Sequence, residues 1–237
     1  MEARDRLIVA LDVPTAAEAQ KIVQAVGDSV STFKVGKQLF TAEGPKVVRD
    51  LVGSGRKVFL DLKFHDIPNT VAGAVRSAVG LGVSMLTVHA SGGAKMLRAA
   101  ADAAKSANNP PLVLAVTVLT SMGDDDLREI GVSDRAAEQV LRLAVLARNS
   151  GCLGVVASPQ EVKQLRAVLG GAFAIVTPGV RPAGADAGDQ ARVATPSEAI
   201  RNGASHLVVG RPITEARDPA KAAEAILKEI GAACGKI

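Results

Sequence analysis

Short runs rich in β-branched and aliphatic residues recur roughly every 25 to 35 residues, separated by Ala-rich stretches with helical spacing. This is the alternation of a parallel sheet built from βα units. Eight runs read as strands: RLIVALD, TFKVG, KVFLDLK, SMLTVHA, LVLAVTVLT, LGVVAS, FAIVTPGV and HLVVGRP. The stretches between them carry helix start signals, such as Pro14-Thr15 before AAEAQKIVQAV, Ser133-Asp134 before RAAEQVLRLAVLA and Thr195-Pro196 before SEAIRNG. Gly27, Gly53, Gly82, Gly151 and Gly203 punctuate the helix ends. Eight such units with no low-complexity linker fit a closed (β/α)8 TIM barrel better than an open doubly wound sheet, so the pattern predicts one α/β domain over residues 1–237.

Active sites of such barrels lie at the C-terminal strand ends, and there the pattern turns polar. Asp12, Lys34, Asp61 with Lys63, His89, Thr120, Ser158, Pro178 with Arg181, and Gly210 with Arg211 occupy those ends. The sharpest change is in FLDLKFHDIPNT, residues 59–70. Strand alternation puts Phe59, Asp61 and Lys63 on one face and Val58, Leu60 and Leu62 on the other. Asp61 and Lys63 then project about 7 Å apart along the backbone. Asp66 follows in a loop set by Ile67-Pro68, and Lys34 on the neighbouring strand can come alongside Asp61. Buried charges are costly unless paired, and alternating Lys, Asp, Lys, Asp pairs them. A structural ion network and a catalytic array both fit the pattern.

Composition narrows the partners. Of 237 residues 48% are hydrophobic, enough for a sizeable core, and the net charge is +4. There is no Trp or Tyr and only five Phe, and the basic residues are interspersed with acids. Nucleic-acid binders need stacking faces or a clustered basic stripe, so a small anionic ligand explains the charge better. HLVVGRPIT offers such a site: Gly210 lets backbone approach an anion, Arg211 supplies a planar fork and Pro212 suits a first helical turn. The last two strands are the usual place for phosphate in this fold. The loop TPGVRPAGADAGDQARVATP, residues 177–196, is long enough to be functional, and Arg181 and Gln190 are its groups able to grip an anion.

Other polar features read as structural. Asp124, Asp125 and Asp126 open a helix rather than hold a cation, and SGGAKML is a helix start lacking P-loop spacing. His89 reads as a hydrogen-bonded barrel residue rather than a base, and His65 and His206 have no nucleophile partner in sequence. Cys152 and Cys234, without CxxC or Cys/His spacing, are expected to be reduced thiols. No membrane span or leader is readable, and a cytoplasmic protein is expected.

FLDLKFHDIPNT resembles the signature of the orotidine 5'-monophosphate decarboxylase family. The likeness continues through IVALD, FKVGKQLF, TVHASGG, AVTVLTS, TPGVRP, GDQARVATP and VVGRPIT, covering about residues 6 to 220. The resemblance implies a cofactor-free, metal-free decarboxylation of orotidine 5'-monophosphate to UMP and CO₂. It implies a charged array of Lys34, Asp61, Lys63 and Asp66, with Lys63 as proton donor to C6. Asp12 and Lys34 would hold the ribose, Thr120 would meet the pyrimidine, and Pro178 would line its pocket. Arg181, Gln190, Gly210 and Arg211 would take the phosphate. Asp66, Ile67 and Thr70 would reach into the partner's site of a homodimer. Related barrels that decarboxylate 3-keto-gulonate 6-phosphate, or condense formaldehyde with a pentulose phosphate, resemble the DxKxxD core. Those use Mg²⁺ and an acidic residue on strand two, where this chain has Lys34. A non-catalytic nucleotide-binding barrel is a further alternative.

Overall fold

The computed structural model describes residues 2–182 and 194–235. Eight parallel strands close into a barrel in sequence order: β1 Leu7–Ala10, β2 Thr32–Gly36, β3 Lys57–Phe64, β4 Met85–His89, β5 Leu112–Val116, β6 Gly154–Val156, β7 Ala174–Thr177 and β8 His206–Val209. β1 pairs with β2 on one side and β8 on the other, which closes the ring. The TIM-barrel architecture is the one the hydrophobic pattern predicts.

Alternation along the strands sorts side chains into two cores. Ile8, Ala10, Phe59, Met85, Leu114, Val176 and Val208 fill the lumen. Their neighbours, such as Leu7, Val9, Leu60, Leu86, Val113, Ile175 and Leu207, pack outward against the helices. The lumen narrows at Gly154 on β6, where a Cβ would lie 2.6 Å from the Ala174 carbonyl oxygen and 2.7 Å from a Leu114 methyl. Only glycine leaves the two flanking strands their spacing.

Strands are shorter than the apolar runs that announced them. The ladder of β5 stops at Val116, so Thr120 stands in the turn beyond it, and β6 stops at Val156, before Ser158. Apolar character persists past the last ladder bond because the barrel mouth is itself buried: Val118, Ala157 and Val180 are all covered. Two helices, Lys37–Glu43 and Lys46–Gly53, fill the β2 to β3 connection. The four-residue helix Ala3–Arg6 leads directly into β1, so Arg6 is not part of a strand.

Helix starts follow local capping. Thr195 caps Pro196–Arg201 with a reciprocal Glu198 bond, and Thr15 caps Ala16–Val26. The helix expected after Ser133-Asp134 begins at Ala136, one residue into RAAEQVLRLAVLA, with Arg135 at its N-cap. Asp124 Oδ1 accepts the Ala136 N–H from another segment, while Asp134 pairs with Arg142 at 2.7 Å. Asp124–Glu129 is a helix with the three aspartates in its first turn, and Gly93 starts the helix Gly93–Ala104 after SGG. Gly27, Gly82, Gly151 and Gly203 have positive φ after their helices, whereas Gly53 is the last helical residue and the left-handed turn falls at Gly55. Among the described residues no helix is long and apolar enough to cross a membrane.

Candidate active site

At the C-terminal mouth of the barrel a cavity of about 440 Å³ opens above the lumen residues Ala10, Phe59 and Val208. This falls within the size of small-ligand sites. Nine residues singled out in the sequence line it: Asp12, Lys34, Asp61, Lys63, Thr120, Pro178, Arg181, Gly210 and Arg211.

Four of them form a chain of alternating charge. Lys34 on β2, only 8% exposed, donates from Nζ to Asp12 Oδ1 at 2.7 Å and lies 3.9 Å from Asp61 Oδ2. Lys63 Nζ donates to the same Asp61 oxygen at 2.8 Å. The other oxygen of Asp61 accepts from the Thr87 hydroxyl at 2.9 Å. Burial by itself would raise the Asp61 carboxyl, but the charges of Lys34 and Lys63, with hydrogen bonds from Lys63 and Thr87, outweigh it and hold the group below its usual range.

Local structure explains how these groups meet. Gly36 on β2 sits beside Asp61, and a Cβ there would lie 2.9 Å from Asp12 Oδ1 and 3.0 Å from Lys34 Nζ. The glycine leaves room for the ion pair. On β3 the ladder with β4 runs through Leu60 opposite Leu86 and resumes at Phe64 opposite Val88. Two surplus residues preserve the facing of the strand, since an even shift keeps inward side chains inward. Leu62 and Phe64 accordingly pack on the outer core while Asp61 and Lys63 line the cavity. Lys63 pays with a φ of 53°, the only positive φ among the described non-glycine residues.

Beyond β7, Arg181 is 9% exposed and donates to the Val180 carbonyl, while its backbone N–H donates to the Ala194 carbonyl. Gly210 caps the short helix Arg211–Thr214 with Pro212 in its first turn. Among the described atoms a Cβ at Gly210 would meet only Ala10 Cβ at 3.5 Å, an ordinary contact.

Three expected site residues lie elsewhere. Asp66, Ile67 and Thr70 are exposed, Ile67 at 67%, and none lines the cavity of its own chain. The Asp66 carboxylate accepts the Ile67 N–H at 2.6 Å instead of joining the array. Gln190 lies outside the described residues. Gly36, Thr87, Thr214 and Glu215 carry no signal of the site in their sequence context; the last two line the cavity.

The histidines remain apart from the charge chain. His65 and His89 rings lie 5.4 Å apart between centroids, and burial together with neighbouring His65, Lys37 and Lys63 lowers the His89 pKa against the opposing pull of Asp61. His206 is buried at the other end of the barrel wall, at the start of β8. Among the described residues no group of three or more His, Cys, Asp or Glu side chains is placed to hold a metal ion.

Comparison with known proteins agrees with this geometry. The family model described as "Orotidine 5'-phosphate decarboxylase / HUMPS family" matches residues 5–226. The orotidine 5'-phosphate decarboxylase of Moorella thermoacetica is 56% identical over 236 residues, spanning 97% of this chain and 94% of that protein. The crystal structure of the enzyme of that name from Lactobacillus acidophilus superposes with a TM-score of 0.86 at 45% identity, covering 94% of this chain and 98% of the other. The corresponding structure from Pyrococcus horikoshii OT3 gives a TM-score of 0.76 at 28% identity, with 94% and 98% covered. By sequence over nearly its whole length, and by the barrel that carries its charged array, the chain belongs to the orotidine 5'-phosphate decarboxylase / HUMPS family.

Proposed function

We propose that this protein decarboxylates orotidine 5'-monophosphate to UMP and CO₂, as the last step of UMP synthesis, through a C6 carbanion that Lys63 protonates. The observation that carries the proposal is the chain Asp12, Lys34, Asp61, Lys63 along one wall of a cavity that Arg181 and Arg211, after β7 and β8, also line. The two arginines and Gly210 take the phosphate, Asp12 and Lys34 the ribose hydroxyls, and Thr120 and Pro178 the pyrimidine. The substrate carboxylate then stands beside Asp61.

When the bond from C6 to the carboxylate breaks, its electron pair stays on C6 and CO₂ leaves. The Lys63 ammonium stabilises that pair electrostatically and then gives it a proton, so one residue serves both steps. Repulsion between Asp61 and the substrate carboxylate assists but is too small to drive the reaction. Two charges 4 Å apart at an effective dielectric of 20 interact by about 4 kcal/mol, whereas the largest enzymic accelerations, about 10¹⁷-fold, need roughly 23 kcal/mol. Carbanion stabilisation in a preorganised site, and phosphate binding energy used to hold the ring in place, supply the remainder.

The exposed Asp66, Ile67 and Thr70 fit a homodimer in which each chain lends these residues to its partner's site. A cytoplasmic location completes the proposal, in line with two free cysteines.

Absorbance of orotidylate followed with and without EDTA tests the activity. Loss of the substrate band at the same rate in both is expected. Inhibition by EDTA would favour a Mg²⁺-dependent sugar-phosphate relative, and UMP binding without any absorbance loss would mark a non-catalytic barrel.

A further inference from the structure

Thr87, inside the apolar run of β4, is fully buried and has no place in the substrate contacts above. It stands where the β3–β4 ladder is irregular, so that Asp61, Leu62 and Lys63 together face this one residue. Its hydroxyl oxygen accepts the Lys63 backbone N–H at 2.9 Å and donates its own proton to Asp61 Oδ1 at 2.9 Å. The direction of both bonds is fixed, because an amide N–H can only donate and an ionised carboxylate can only accept. With Oδ1 so held, Oδ2 is left facing the ammonium of Lys63 at 2.8 Å and that of Lys34 at 3.9 Å. The same hydroxyl anchors the backbone at the left-handed Lys63, a conformation that is unfavourable for a residue with a Cβ.

We propose that Thr87 is a positioning residue for the reaction: its hydroxyl ties the Asp61 side chain to the Lys63 main chain, and so fixes the point from which the Lys63 ammonium reaches C6. The proposal rests on the decarboxylase function above. Thr87 touches no substrate atom and acts only through Asp61 and Lys63. A displacement of about 1 Å in a reacting group can cost on the order of 100-fold in rate, so loss of the tie is expected to show in kcat. Ground-state affinity, carried by the phosphate side of the cavity, is expected to stay.

The test compares Thr87→Val, which keeps the shape and loses the hydroxyl, with Thr87→Ser, which keeps the hydroxyl and loses the methyl. For Thr87→Val we expect kcat to fall by about 10- to 100-fold, with KM and UMP affinity within about threefold of wild type. Thr87→Ser is expected to recover most of kcat. Should the valine variant not fold, Thr87→Ala replaces it in the same comparison. Wild-type kcat without the hydroxyl, or equal losses with valine and serine, would overturn the proposal, because the methyl packing would then be what matters. Wild-type protein inert towards orotidylate would count against the decarboxylase function instead. The tie itself is then read in a crystal structure of Thr87→Val: separation of Lys63 Nζ from Asp61 Oδ2 supports it, and an unchanged contact with Lys63 still left-handed overturns it.

Discussion

At the scale of single residues, chemistry was legible wherever residue type alone departs from the local pattern. A lysine in the middle of TFKVG, and an aspartate and lysine towards the end of KVFLDLK, have no packing reason to be there, and the structure brings both lysines within 2.8 to 3.9 Å of the aspartate. Gly36 and Thr87 were illegible for the converse reason. A threonine in SMLTVHA and a glycine ending a strand are ordinary strand vocabulary, and their roles depend on what the adjacent strand places opposite them. Lys63 is the residue on which the proposed chemistry turns. Lys63→Ala removes both the proton donor and the cation beside C6, so kcat should fall by about 10⁴-fold or more. UMP, held by its phosphate, should still bind, as titration calorimetry would measure. Near-normal decarboxylation by that variant would sink the assignment of the proton donor.

At the scale of elements, all eight strands were visible from periodicity, yet their ends were not. The ladder stops before the apolar run does, by four residues on β5 and two on β6, because covered loop residues at the barrel mouth need apolar side chains as much as strands do. The start of β8 carries a different kind of hidden information. His206 is 6% exposed, and its Nδ1 has no hydrogen-bond partner among the described residues. Burial, reinforced by Arg6 and Lys57 and opposed by Asp5, lowers its pKa to about 4. In the unfolded chain the imidazole titrates near 6.5. Between those values the unfolded state binds a proton that the folded state refuses, so stability is complete above about pH 6.5 and declines as pH falls towards 4. The loss amounts to roughly 3 kcal/mol at 1.36 kcal/mol per pH unit. Thermal melts of wild type and His206→Phe across pH 7 to 4 should therefore diverge in slope, with the variant the flatter of the two. Parallel curves would show that the buried imidazole contributes nothing to acid lability.

At the scale of the whole molecule, the barrel leaves one expected part of the site outside its own cavity. Ile67 and Thr70 were legible as site residues only through the family likeness, and the spacing that put Asp66 with the charged residues does not say whose cavity it serves. Exposure of a large apolar side chain such as Ile67 next to an active-site strand fits a surface that another chain covers. If the partner supplies Asp66, then Lys63→Ala and Asp66→Ala chains, each inactive alone, should complement after mixing, unfolding and refolding. The hybrid dimer contains one site with both wild-type residues, so random pairing should restore about a quarter of wild-type activity. Absence of recovery, with hybrid dimers verified by mass, would place Asp66 in its own chain's chemistry or in none.

The two surplus residues of β3 also set a rule for how this chain can change in length. Removing one residue from Asp61–Lys63 would turn every later side chain of the strand through the wall, sending Phe64 into the lumen. Removing two adjacent residues would restore a regular ladder, keep every facing, and take away either Asp61 or Lys63, breaking their pair without disturbing the closure of the barrel. A natural or designed relative shortened by two at this point would keep the barrel while losing the proposed chemistry.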